Sequence, residues 1–210
     1  MPRIYLLVND PLVAGRMRSL IDARPGWQAV GWAATLAQAR NQLGSVKPDL
    51  LLADLQLPDG WISSLLDEMA VSTRYGRPRT LVVTMTLDDS QLLEALSNGA
   101  DGYFVQGQSP QALVAAIEQT LAGGAEMAPT IARQVKAHFD AQREGADQED
   151  PLRPTAPERL MLQWIADGFL PHEIARDLRI TPSEVAQRVR GLYRKLQFDR
   201  RTATLSLKLA

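Results

Sequence analysis

Five apolar runs of strand length, each followed by an amphipathic stretch of helical period, set what the first half of this chain can fold into. The runs are 3–8 (RIYLLV), 27–32 (WQAVGW), 49–53 (DLLLA), 80–84 (TLVVT) and 102–105 (GYFV). Val13, Met17, Leu20 and Ile21 open the first helical stretch; 35–44, 61–70, 89–98 and Leu113/Ile117/Leu121 carry the others at about 3.6-residue spacing. Uniformly apolar strands need both faces covered, and parallel neighbours need long crossovers. The alternation therefore predicts an α/β fold, a doubly wound five-stranded parallel sheet with its chemistry at the carboxyl ends of the strands.

The first of those ends is Val8-Asn9-Asp10-Pro11, which reads either as half of a metal site or as a strand cap. Ser109-Pro110 marks a helix start and Gly123-Gly124 its end. A helix at about 128–142 follows, and then REGADQEDPLRP, polar and proline-bounded, reads as linker. The predicted organisation is a sheet domain at 1–122, a linker with its helix at 123–152, and a small all-α domain at 153–210.

Charge separates the same parts. Residues 151–210 hold 11 Lys and Arg against 6 Asp and Glu, a balance of +5, whereas the whole chain is at -1, leaving -6 on the rest. Such asymmetry points to a polyanion partner for the tail alone. With no cysteine and two histidines, disulfides, thiol nucleophiles and Cys/His zinc sites are excluded. No apolar run approaches the roughly 18 residues of a membrane span, and the apolar start is too short for a secretory signal. A cytoplasmic protein with no membrane partner is expected.

Within the tail, Thr155-Ala-Pro-Glu158 and Thr181-Pro-Ser-Glu184 are capping boxes, each marking a helix start. Met161, Leu162 and Ile165 face inward on the first helix, and Ile174, Ala175 and Leu178 on a second opened by Pro171. Beyond the turn Leu178–Thr181, a third carries Val185, Val189, Leu192 and Leu196 at i, i+4, i+7, i+11. This is a helix-turn-helix pattern whose last helix sets Gln187, Arg190 and Arg194 outward. Gln suits an adenine edge and Arg a guanine edge, while Arg194, Lys195, Arg200 and Arg201 suit phosphates. An ordinary three-helix unit with a solvated basic face is the competing reading.

The stretch TAPERLMLQWIADGFLPHEIARDLRITPSEVAQRVRGLYRKLQFDRRT resembles, without a gap, the LuxR/NarL-type DNA-binding domain. The match rests on Glu158, Gly168, the E-I-A-x-x-L at Glu173–Leu178, Val185 and Val189, and the R-K-L at Arg194–Leu196. The lysine usual after the first of those valines is Ala186 here, which shifts DNA binding onto Gln187, Arg188 and Arg190. The resemblance implies binding to double-stranded DNA as a homodimer, with a short final helix at 201–208 as a candidate pairing surface.

The front 122 residues then resemble a response-regulator receiver, whose fold is flavodoxin-like. PDLLLADLQLPDG places the phosphoacceptor at Asp54; Thr84 ends the fourth strand, and GADGYFVQGQSP places the switch aromatic at Tyr103. Receivers hold Mg²⁺ through two acids after the first strand and set a lysine after the fifth. The lysine position is Gln106, a neutral amide. In the gapless alignment, preferred here, the two acids fall on Val8 and Asn9; with one deletion they fall on Asn9 and Asp10. Asn9, Asp10 and Asp54 thus form a degenerate set that binds Mg²⁺ weakly or not at all, and no cofactor is required.

The resemblance implies a transcription regulator of the two-component type with an atypical receiver. Control through a sensor kinase, a small ligand or a partner protein all remain open, as does a conventional phospho-switch. A protein-interaction module without DNA binding is the competitor of another class. An enzyme is disfavoured, since G-x-G-x-x-G, a P-loop and a G-x-S-x-G elbow are all missing from the sequence.

Overall fold

The computed structural model describes residues 1–85, 87, 90–141 and 152–209, the side chains of 203–209 excepted. It divides into two compact units, 1–122 and 123–210.

In the first unit the strands β1 (Arg3–Leu7), β2 (Gln28–Ala33), β3 (Leu50–Asp54), β6 (Arg79–Thr84) and β7 (Gly102–Val105) form one sheet in the order β2-β1-β3-β6-β7. Every pairing is parallel. The helices α1 (Pro11–Asp22), α2 (Leu36–Val46), α3 (Ile62–Val71), α4 (Ser90–Asn98) and α5 (Pro110–Leu121) supply the crossovers. On one face Ile4, Leu6, Val8, Leu50, Leu52, Leu81 and Val83 pack with Met17 and Ile21 of α1 and Leu113 and Ile117 of α5. Alternation turns Tyr5, Leu7, Leu51 and Ala53 to the opposite face, where they are equally buried. Each predicted strand is present within a residue or two. A two-stranded hairpin, β4 (Gln56–Leu57) with β5 (Gly60–Trp61), is an addition too short to leave a periodic signal.

One close approach fixes the β1–β2 edge. Tyr5 is fully buried and pairs in register with Gly31. A Cβ built on Gly31 would lie 2.6 Å from the ring's Cε2. The phenol donates to Gln42 Oε1 at 2.8 Å, and burial pushes it up to about 12, so it is uncharged at neutral pH.

The second unit contains α6 (Pro129–Ala141), α7 (Ala156–Ala166), α8 (Pro171–Leu178) and α9 (Pro182–Leu209). Both predicted capping boxes form: Thr155 N–H donates to Glu158 at 2.7 Å, and Thr181 N–H to Glu184 at 2.7 Å. Gly123 takes φ 85°, a left-handed residue directly past the end of α5.

Two expectations are corrected here. The helix read as part of a linker lies along α7, with Ile131, Ala132, Val135 and Phe139 buried and Arg133 donating to Ala166 O at 2.7 Å. The final helix at 201–208 is not separate, because α9 runs unbroken through it. Residues 197–201 (QFDRR) contain no glycine, proline or asparagine, so nothing ends the helix there. The pairing surface expected on the final helix falls on side chains outside the described residues, as does most of the polar linker stretch.

Candidate functional site

Parallel register brings the receiver residues to one end of the sheet. Asp54 closes β3 opposite Val83 of β6, and Thr84, the next residue, pairs with Val105 of β7. Gln106 follows β7 and donates its backbone N–H to Thr84 O at 2.8 Å. Thr84 is buried, while Tyr103 and Gln106 are half-buried on the edge strand. The β3–α3 loop is held by Asp59, whose carboxylate accepts from Leu36 N–H at 2.8 Å and Ala37 N–H at 2.9 Å at the start of α2. Sequence reading missed Asp59; its only signal was an Asp-Gly pair at a turn.

The end of β1 shows what the polar tripeptide there does. Val8 is 1% exposed and its side chain belongs to the core cluster. Asn9 is exposed and binds Asp54 with its backbone, donating N–H to Asp54 Oδ2 at 2.8 Å. Asp10 is the N-cap of α1: its Oδ1 accepts from Leu12 N–H at 2.7 Å and from Val13 N–H at 3.4 Å. Among the described residues no group of three His, Cys, Asp or Glu side chains is placed to hold a metal. The second oxygen of Asp54, Oδ1, is buried without a hydrogen-bond partner. Burial pushes this carboxyl above its ordinary range and the like charge of Asp10 adds to the rise, while the Asn9 N–H pulls the other way.

Asp101, in the GADGY segment, has a structural place. It is buried, accepts from Thr80 N–H at 2.8 Å and pairs with Arg79 at 4.0 Å, tying the start of β6 to the start of β7.

In the second unit the predicted reading helix is α9, and its side chains fall into three groups. Gln187, Arg194 and Arg201 are exposed, with Arg188 and Arg200 half-buried. Lys195, expected at a phosphate, instead joins two elements: its Nζ donates to Glu158 Oε2 at 2.6 Å and Arg153 O at 2.8 Å, and both partners of the ion pair are under one-fifth exposed. Arg190, expected on the outer face, is 7% exposed.

Residues 4–118 match the family model for the response regulator receiver domain. Over 201 residues, 95% of this chain and 92% of the relative, the chain is 30% identical to the nitrate/nitrite response regulator protein NarL of Escherichia coli. It is 28% identical over 203 residues to the DNA-binding transcriptional activator DevR/DosR of Mycobacterium tuberculosis, covering 96% and 91% of the two chains. A LuxR-family two-component response regulator from Aurantimonas superposes with a TM-score of 0.57 at 33% identity, covering 66% of this chain and 97% of that one. Among the described residues no helix is long and apolar enough to cross a membrane. With the β2-β1-β3-β6-β7 parallel sheet, the strand-end Asp54 and the helix-turn-helix tail in place, the chain belongs to the LuxR/NarL-type response regulators.

Proposed function

We propose that this chain is a DNA-binding transcription regulator whose receiver does not run on Mg²⁺-dependent phosphoryl transfer. The observation that carries the DNA-binding half is the pair α8 and α9, joined by a turn in which Arg179 takes φ 54°, with Gln187 and Arg194 exposed on the second helix. The α9 exterior offers Gln187 and Arg188 to base edges and Arg194, Arg200 and Arg201 to phosphates. DevR/DosR, 28% identical to this chain, is a DNA-binding transcriptional activator, which supports the same reading.

Replacing Arg194 with alanine is expected to weaken binding about equally across DNA sequences and to lower its salt dependence by about one counterion. Titration of fluorescent genomic fragments at several salt concentrations measures both. An unchanged affinity and salt slope would remove Arg194 from the interface.

For the receiver, the carrying observation is at the end of β1. The gapless position of one acid is filled by the core side chain of Val8, and one oxygen of the Asp10 carboxylate caps α1. The set does not fit Mg²⁺, which needs near-octahedral oxygen ligation and is usually held through one or two free carboxylates. With an amide at Gln106, no fixed positive charge would offset the negative charge gathered when a phosphoryl group reaches Asp54. Incubation with Mg²⁺ and a small phosphodonor, followed by intact mass, is expected to show no adduct. A stoichiometric phosphoryl adduct that disappears in Asp54→Ala sinks this half of the reading and leaves the DNA-binding half standing.

A further inference from the structure

A helix start attracts phosphate through its unpaired backbone N–H groups and the positive end of its dipole. At the start of α9 an anion from the chain itself is already there. Glu184 Oε2 accepts from Thr181 N–H at 2.7 Å and from the Thr181 hydroxyl at 2.9 Å, while Glu184 N–H donates to Thr181 Oγ1 at 3.2 Å. The side chain is exposed. Its bonds from the Thr181 backbone and hydroxyl, with the charge of Arg188 four residues on adding to them, hold the carboxyl below its ordinary value of 4.5, so it is ionised at neutral pH.

Charge along the helix is graded to match. Residues 181–187 (TPSEVAQ) contain no Lys or Arg and one Glu, a balance of -1; 188–201 contain six Lys and Arg and one Asp, a balance of +5. The cation missing at Ala186 and the acid present at Glu184 act in the same direction. An acid at the start suits the helix dipole, which explains the arrangement as far as stability goes. It opposes a polyanion at the same end. Beyond Pro182 the exposed side chains of the first two turns are Ser183, Glu184 and Gln187, two neutral hydrogen-bonding groups beside one anion. Because both bonds from Thr181 fall on Oε2, the carboxylate is turned back toward the cap, and what it presents to DNA is its charge.

We propose that Glu184 is a specificity-determining residue: its negative charge keeps phosphates off the start of α9, so that this end of the helix is held only where base edges engage Gln187. The proposal rests on the DNA-binding reading above and deepens it. In a matched site the N-terminal turn lies over base edges, with the phosphates to either side. On unmatched DNA the protein is held by phosphates alone, and a helix start with no acid would add one more such contact. The acid therefore penalises the unmatched complex more than the matched one.

The test compares equilibrium binding of the full chain to a genomic fragment selected with wild-type protein and to a random-sequence duplex of the same length, each at several salt concentrations. Glu184→Gln removes the charge and keeps a capping side chain. It is expected to tighten binding to random DNA about tenfold, to steepen its salt slope by about one, and to leave the selected fragment within about threefold. Thr181→Val breaks the hydroxyl ties and keeps the charge; it is expected to lower the unfolding midpoint and leave the ratio of the two affinities at its wild-type value. Should Glu184→Gln lose helical content by circular dichroism, Glu184→Ser is judged by the same criterion. An unchanged ratio in the charge-removing variant, whether neither affinity moves or both rise together, overturns the proposal and leaves the DNA-binding reading in place. Weaker binding to the selected fragment alone also overturns it, since Glu184 would then be reading a base. A ratio that falls equally in Thr181→Val overturns it in favour of cap geometry. Failure of every form, wild type included, to bind either duplex overturns the DNA-binding reading, and this proposal with it.

Discussion

Glu158→Ala is expected to destabilise the second unit by about 3 kcal/mol, and Glu158→Gln by about 2 kcal/mol. Glu158 serves twice. Its carboxylate closes the capping box by accepting from Thr155 N–H, and it holds the Lys195 ammonium at 2.6 Å between α7 and α9. Alanine loses both functions, leaving Lys195, under one-fifth exposed, with the Arg153 carbonyl in place of a charged partner. Glutamine can still cap, so it loses mainly the ion pair; the difference between the two variants isolates the cap, worth about 1 kcal/mol.

The pH dependence has a definite sign. Burial alone would raise the Glu158 carboxyl, but the hydrogen bonds from Lys195 and Thr155 outweigh it and hold the group below its ordinary value of 4.5. A carboxylate depressed in the folded state stabilises above its unfolded pKa and loses that contribution as pH falls through the folded one. The gap between wild type and Glu158→Gln is therefore full at pH 7 and closes below about pH 4.5. Urea unfolding followed by far-ultraviolet circular dichroism at the two pH values measures it. A gap that is the same at both would remove the ion pair from the account. The result bears on function, because it shows Lys195 spent on assembling the unit and not available to phosphates.

Gly31→Ala is expected to destabilise the receiver by about 2–3 kcal/mol. The added methyl group would lie 2.6 Å from Tyr5 Cε2 and 2.8 Å from Cδ2, well inside contact distance. The ring has little room to move, since it is fully buried and its hydroxyl is tied to Gln42 across the unit. Either β1 and β2 separate or the ring leaves its rotamer, and each is a costly adjustment in a close-packed core. β1 leads directly into Val8 and Asn9, so a shift of that strand is transmitted to the N–H that holds Asp54. A denaturation midpoint matching wild type would show that the Tyr5 ring yields freely.

The sheet was legible because both of its determinants are local. Run length and helical period are read from neighbouring residues, and the parallel connection follows from covering both faces of uniformly apolar strands. The helix starts at Thr155 and Thr181 were legible for the same reason, since a capping box spans only three residues. The β4–β5 hairpin was not, because two residues per strand carry no period. The final helix expected at 201–208 is not a separate element because the core stripe stops at Leu196 while the helical backbone need not; only a terminating residue ends it, and 197–201 has none.

For the site, residue identity alone showed that the β1 end lacks at least one of the acids the receiver resemblance implies, that position 106 is Gln rather than Lys, and that position 186 lacks a cation. It also put Asp54, Thr84 and Gln106 on successive strand ends, which register then brought together. Only the tertiary structure decided that Lys195 bonds Glu158 and that Arg190 is buried. The physical reason is common to both. A charged side chain's role depends on which groups lie within hydrogen-bond reach, and partners 37 or more residues away, as Glu158 is from Lys195, leave no trace in local pattern.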